Sequence, residues 1–413
     1  MRPANSVTGF WKGGWDETGL AHWASALRGR LETPSVSLGL VFLTPDLFDR
    51  AEDILDVLRL HGRIPLLAGC SGTSLIHGNE EKEGESGLVL ALYHLPGAQL
   101  KGRHITSEEV EAVEHSSEWR ERMGLGERGP NGWIVFATPF DLNGERWLRQ
   151  WNEAFPGIPA IGGLASGPYS PPRAQVYLDG VVHEEGLVAL SVSGEIELET
   201  VVSQGCTPIG DSWTITRTDR NFILGIGNRP AYAVLVDTFN GLTQDEQVKS
   251  HNNLFIGLAS DEYHEEFQAG DFLIRNLVGA DPGSGVLAVG AQPRTGQTIQ
   301  FHRRDAQAAG EELAHLLARA RERVQGRPVY GGCLCLCNGR GVRMFGRPNH
   351  DAALIQEQLG PLPLVGFFGN GELGPIGSRN FLHGYTASLG VFVGKPVTKE
   401  ATTTEEQEPP VGT

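Results

Sequence analysis

Three of the five cysteines stand at alternate positions in Cys333-Leu334-Cys335-Leu336-Cys337. Residues two apart on a strand share a face, so the thiols would face one way and the leucines the other. Soft metals favour such thiolates. Zinc sites, however, pair cysteines across a turn, and no second cysteine cluster completes four ligands. The run therefore reads as small buried apolar residues, with neither metal nor cofactor expected. Cys70 lies beside Ser71 in a turn whose N–H groups would lower a thiol pKa. The 13 histidines are scattered and none marks a base, which leaves Cys70 a weak catalytic candidate and favours a protein that is not an enzyme. Arg340, between Gly339 and Gly341, has the fork that clamps a carboxylate. Glu372, in Asn370-Gly371-Glu372, would accept an ammonium. Together they would suit a zwitterion such as an amino acid, although a plain surface turn uses an arginine equally well.

Four glycine-rich turns recur at strand ends: Gly69-Cys70-Ser71-Gly72-Thr73, Gly163-Leu164-Ala165-Ser166-Gly167, Gly257-Leu258-Ala259-Ser260-Asp261 and Gly369-Asn370-Gly371-Glu372. Strand ends in α/β folds are where crevices form, and glycines let backbone N–H groups approach an anion. Tight turns need the same glycines.

These turns sit in repeated units. Two segments align without a gap at an offset of 94, with identities at Val41/Val135, Phe42/Phe136, Thr44/Thr138, Pro45/Pro139, Ile64/Ile158, Pro65/Pro159 and Gly69/Gly163. Each reads as strand, helix, strand. Leu38 to Leu43 is an apolar run that Pro45 ends, since proline cannot donate to a ladder. Ile54, Leu55 and Leu58 follow at helical spacing. Two looser copies are expected: one with a strand over Tyr232 to Val236 and a polar helix leading to an apolar run over Leu254 to Ser260, the other from Val329 through a helix at His350 to Leu359 into Pro363 to Glu372. Further strands are expected at Gly87 to Tyr93, Gly186 to Val192 and Tyr385 to Val393. Helical stripes run through Leu20, Trp23, Ala24, Leu27 and Leu31, and through Leu313, Leu317, Ala320 and Val324. The expected fold is α/β, with two domains built from repeated strand–helix–strand units on mixed sheets.

Size and charge narrow the function. The 413 residues suit two domains. The expected division is a lead-in at 1–35 with one helix, domains at 36–218 and 219–395, and a Thr/Glu/Pro-rich disordered tail at 396–413. A net charge of −16 repels nucleic acid and anionic membranes. Neither a signal peptide nor an apolar span is present, and the odd, clustered cysteines suit a cytoplasmic protein.

Several motifs resemble the FIST family. Leu67 to Thr73 is similar to the Gly-Cys-Ser-Thr turn of its N-terminal domain, with Gly72 intervening before Thr73. Arg275-Asn276, Cys337-Asn338-Gly339-Arg340-Gly341, Gly366 to Glu372, and His383-Gly384-Tyr385-Thr386 resemble C-terminal FIST motifs. The Phe-Phe-Gly-Asn-Gly-Glu version is similar to that of F-box proteins carrying a FIST domain. About 35 residues precede the first expected strand, too few for an F-box, so a stand-alone protein is expected. The resemblance implies a small-ligand sensor, with amino acids or similar metabolites as ligands and a separate protein partner for its signal. On that reading the ligand would meet Gly69, Cys70, Ser71, Gly72, Thr73, Arg275, Asn276, Arg340, Asn370, Gly371, Glu372, His383 and Thr386. A Cys70-dependent enzyme and an interaction module without a ligand are the rival readings.

Overall fold

The computed structural model describes residues 5–125, 129–262, 267 and 269–396; the expected tail at 396–413 lies outside them except for its first residue. The fold is mixed α/β. Its body consists of three six-stranded sheets with one shared strand order.

The first sheet is led by Ser6–Lys12, then Gly87–Tyr93, and is centred on the parallel pair Leu38–Leu43 and Leu67–Ser71. The second has Ala98–Ile105, Leu187–Gly194 and the parallel pair Gly132–Ala137 and Ala160–Leu164 in the same places. The third has Ile196–Ser203, Ala387–Gly394 and the parallel pair Val329–Cys337 and Leu364–Gly369. Each sheet is completed by a hairpin from another unit. The hairpin Leu75–His77/Glu80–Lys82 leaves the first unit and joins the third sheet. The hairpin Val176–Leu178/Val181–His183 leaves the second and joins the first. The hairpin Gly371–Ile376/Arg379–His383 leaves the third and joins the second. The exchange closes on itself, so the body is pseudo-threefold.

Alternation along the strands divides the core. On the inner faces Phe42, Phe136 and Phe367 meet, with ring centroids 5.0–5.9 Å apart, among Cys70, Cys333 and Cys335. On the outer faces the helices cover each sheet: Glu17–Gly29 and Ala51–Gly62 on the first, Gly144–Ala154 on the second, and Ala306–Arg323 and His350–Leu359 on the third. Leu334 and Leu336 belong to that outer layer. The alternating run behaves as expected at Cys333 and Cys335, which point inward, and at the leucines, which point outward; Cys337 is half-buried at the strand end and outside that inner core. Among the described residues, no group of three or more His, Cys, Asp or Glu is placed to hold a metal ion.

Two expectations about the repeats need correction. Parallel register pairs Val41 with Gly69 but Val135 with Gly162, so Gly162 rather than Gly163 is the counterpart of Gly69. The second strand begins two residues after Pro65 but one residue after Pro159, which breaks the constant offset. A side chain is barred at these sites by the neighbouring strand. A Cβ on Gly69, Gly162 or Gly366 would lie 1.6, 1.9 or 1.8 Å from the carbonyl oxygen of Val41, Val135 or Leu334.

The copy expected around Tyr232 to Val236 is not a repeat unit, and that segment is helical. It lies in the helix Ala231–Asn240, which buries Ala231, Val234 and Leu235 at i, i+3 and i+4. A short apolar run fits either period, and Pro230 ahead of it favours a helix start. This helix packs on a small closed barrel formed by Cys206–Asp219, Thr298–Arg304, Leu254–Ala259, Phe272–Asp281, Val286–Val289 and Phe222–Ile226. The barrel is inserted between the first strand and the first helix of the third unit. Besides its expected helix, the lead-in holds the strand Ser6–Lys12, which pairs antiparallel with Gly87–Tyr93. No helix among the described residues is long and apolar enough to cross a membrane.

Candidate functional site

The glycine turns of the three units meet at the centre of the body, where they bond to one another. Ser71 Oγ donates to the Ser166 carbonyl at 2.9 Å, and the Thr73 N–H donates to Ser166 Oγ at 2.8 Å. Thr73 Oγ1 donates to Asn338 Oδ1, and Asn338 Nδ2 to Asn370 Oδ1 at 2.9 Å. The N–H groups of Ser71, Gly72 and Asn370 donate to Gln175, Leu43 and Leu164 carbonyls. The donors that an anion would need here are therefore engaged within the protein. The turn expected at Gly257 is instead largely strand, since Gly257 to Ala259 lie in the barrel strand Leu254–Ala259, apart from this ring of contacts.

Cys70 is fully buried behind that ring, and burial, with Cys333 nearby, pushes its thiol well above the usual range. Burial likewise raises Cys333 to about 12 and Cys335 well above its usual value. Thiolate is scarce at such sites, and no reagent reaches them. In the native protein at pH 8, iodoacetamide is expected to leave Cys70, Cys333 and Cys335 unlabelled for hours while the unfolded chain is labelled at all five cysteines. Peptide mass spectrometry reads this directly; rapid native labelling of Cys70 would restore the nucleophile reading.

The C-terminal motif residues gather where the third unit meets the barrel. Arg340 is fully buried at the end of Val329–Cys337. It forms a two-pronged salt bridge to Asp351, Nε to Oδ2 at 2.6 Å and Nη2 to Oδ1 at 3.0 Å, and Nη1 donates to the Tyr385 carbonyl. Burial alone would raise the Asp351 carboxyl, but Arg340 and His350 hold it down at about 2. The helix His350–Leu359, which carries Asp351, is tied at its start to another unit: Glu81 Oε1 accepts the Asp351 and Ala352 N–H groups at 2.8 and 3.0 Å.

Glu372 is also fully buried. Its Oε2 accepts the Thr386 N–H at 3.0 Å, and Oε1 has no hydrogen-bond partner among the described residues. Burial raises its pKa to about 8 against the pull of that N–H, of Arg340 and of the Cys337 thiol beside the carboxyl. At neutral pH it is mostly a neutral acid rather than a seat for an ammonium. His383 faces it across the hairpin register. The His383 Nε2–H donates to the Gly374 carbonyl, and burial lowers its pKa to about 4, so the ring is neutral. Tyr385 takes a left-handed backbone with φ 66°. Its hydroxyl donates to Asn276 Oδ1, its ring packs on Phe255, and the Arg304 guanidinium lies 4.5 Å from the ring centroid. Asn276 and Tyr385 thus join barrel and body.

Beside this joint is a cleft of about 320 Å³. Arg275, Arg294, Ser260 and Gln297 come from the barrel, Glu145 and Arg149 from the helix Gly144–Ala154, and Arg379 from the hairpin that the third unit donates to the second sheet. Of the expected site residues, Arg275 alone lines it; Asn276, Glu372, His383 and Thr386 lie on the adjoining joint, and the Gly69 to Thr73 turn lies at the centre of the body. Arg149, Arg294 and Arg379 were missed. Each stands in an ordinary polar stretch, and no spacing marks it.

Residues 37–229 match the FIST N domain and residues 231–375 the FIST C domain. The chain belongs to the FIST family. An uncharacterized protein of Mycobacterium tuberculosis is 34% identical over 382 residues, covering 90% of this chain and 94% of that protein. An uncharacterized protein of Mycobacterium bovis is 34% identical over 370 residues with the same coverage. In this FIST protein the change from N to C domain, at residue 230, falls within the barrel insertion.

Proposed function

We propose that this FIST protein is a small-ligand sensor whose ligand lies in the cleft between the barrel and the three-sheet body, and which signals through a separate protein partner in the cytoplasm. The observation that carries this reading is the origin of the cleft walls. One wall is barrel, the other is a helix and an exchanged hairpin of the body. A ligand that touches both walls favours one relation between them, and that differential contact is what a sensor requires. Gly69 to Gly72 are buried, and the exposed Thr73 is bonded to Ser166 and Asn338, which favours a framework role for the Gly69 to Thr73 segment. Cys70 offers little to the enzyme reading.

A thermal-shift panel of amino acids, organic acids, sugars and nucleotides tests the proposal. At a hundredfold excess over Kd a ligand is expected to add about 2.7 kcal/mol of stability. Ser260→Trp, which fills the cleft from the barrel side, is expected to abolish the shift while the protein stays folded. A panel without a hit, or a hit that Ser260→Trp leaves unchanged, would overturn the assignment of the cleft.

A further inference from the structure

We infer that the cleft takes a small polyanion, a molecule with two or more carboxylate or phosphate groups, which bridges the barrel to the body; this rests on the cleft being the ligand site.

The charge balance carries the inference. The chain has 50 acidic and 34 basic side chains, a net charge of −16. Against that background the cleft gathers Arg149, Arg275, Arg294 and Arg379 with a single carboxylate, Glu145. Among the described residues, none of the four guanidiniums has a carboxylate within salt-bridge distance. By contrast, many other arginines of this protein are paired: Arg173 with Asp49 and Glu184, Arg323 with Glu199, Arg327 with Glu197. Folding has brought four like charges together from distant stretches of chain, with Glu145, which acts on Arg275, the one carboxylate lining the cleft. Such an arrangement repels itself when empty and is relieved by an anion.

The geometry selects the class of anion. Arg275 and Arg294 stand on the barrel wall, Arg149 and Arg379 on the body wall. A guanidinium fork takes a carboxylate or phosphate in two parallel hydrogen bonds. One anionic group satisfies one wall, so a ligand that engages both needs two. A zwitterionic amino acid brings one carboxylate and an ammonium, and four arginines oppose the ammonium. The cleft therefore disfavours the amino-acid ligand that Arg340 and Glu372 suggested, because those two residues are buried in other contacts. Leu148, Leu273 and Phe381 line the same cleft. They leave apolar surface for a short carbon skeleton between the charged ends.

The test uses the full chain with citrate for the carboxylate class, inorganic pyrophosphate for the phosphate class, and glutamine and lysine as controls, at matched ionic strength. Citrate, pyrophosphate or both are expected to raise the melting temperature, and the stronger of the two names the chemistry. Titration calorimetry of that anion is expected to show binding weakened about tenfold or more by Arg275→Ala on the barrel wall and by Arg379→Ala on the body wall. Lysine at either position should restore part of the loss. Binding that needs only one wall would overturn the bridge. If glutamine or another ligand without net charge shifts the melting temperature and neither anion does, the polyanion is wrong and the cleft stands as the site. If no compound of any class shifts it, the reading of the cleft as a ligand site falls with it.

Discussion

Arg340→Ala is expected to destabilise the protein by about 3–5 kcal/mol, the cost of breaking a buried ion pair from one side. Both partners are fully buried, so the variant strands the Asp351 carboxylate without its guanidinium. It also removes the bond to the Tyr385 carbonyl that helps hold the joint between body and barrel. Asp351 cannot simply move away, because its N–H is held by Glu81 on a hairpin from another unit. The double variant Arg340→Ala/Asp351→Ala is expected to be more stable than Arg340→Ala alone, since it removes the stranded charge. Urea unfolding of the two variants and the wild type measures both differences. The pH dependence has a definite sign. Asp351 is held at about 2, below its ordinary 3.8, so its contribution is present above 3.8 and is lost as pH falls through about 2. If Arg340→Ala unfolds like the wild type yet loses a ligand response, Arg340 is a ligand clamp and the structural reading fails.

The contrast between Arg340 as a clamp and Arg340 as a buried strut shows where sequence reasoning stopped. The residue and its motif were legible, but its partner was not. Asp351 is eleven positions away on a separate helix, and only the fold turns the two together. The first two repeat units were legible because their identities sit where strands end and sterics are strict, as at Val41 and Gly69. The third was obscured for two physical reasons. The barrel, from Cys206 to Arg304, separates its first strand from the rest. Its inner core also places the large and small residues differently: register sets Cys335 beside Phe367, where the first unit has Phe42 beside Cys70. The packed volume is kept while the letters change strands, so a residue-by-residue alignment loses the match. The cleft was least legible of all. Its arginines come together because hairpin Gly371–Ile376/Arg379–His383 is exchanged into the second sheet, and no local pattern reports an exchange.

Glu372→Gln is expected to stabilise the protein, by about 2–4 kcal/mol at pH 8, and to have little effect at pH 4. The unfolded chain releases this proton near 4.5, whereas the folded protein keeps it until about 8. The contribution of Glu372 is therefore fully present below 4.5 and falls as pH rises through that window. A glutamine keeps an oxygen for the Thr386 N–H, which Glu372 Oε2 accepts in the wild type, and it never ionises. Glu81 supplies an internal control. Burial raises it to about 7, so part of the wild-type pH slope is its own and must survive in the variant. Urea unfolding at intervals from pH 4 to pH 8 should thus give a shallower slope for Glu372→Gln up to about 8, whereas Glu81→Gln should flatten the curve only up to about 7 and leave the fall between 7 and 8 in place. An unchanged slope in Glu372→Gln would mean that Glu372 ionises as freely in the folded protein as in the unfolded chain. A buried acid with an unpaired oxygen is a standing cost to the fold, and groups so perturbed concentrate where proteins act. Glu372 pairs directly with His383 across the hairpin, at the wall of the barrel–body joint. If the variant gains stability and loses the anion-dependent shift in melting temperature, that cost is tied to coupling between the joint and the cleft; if it gains stability and keeps the shift, Glu372 belongs to the framework alone.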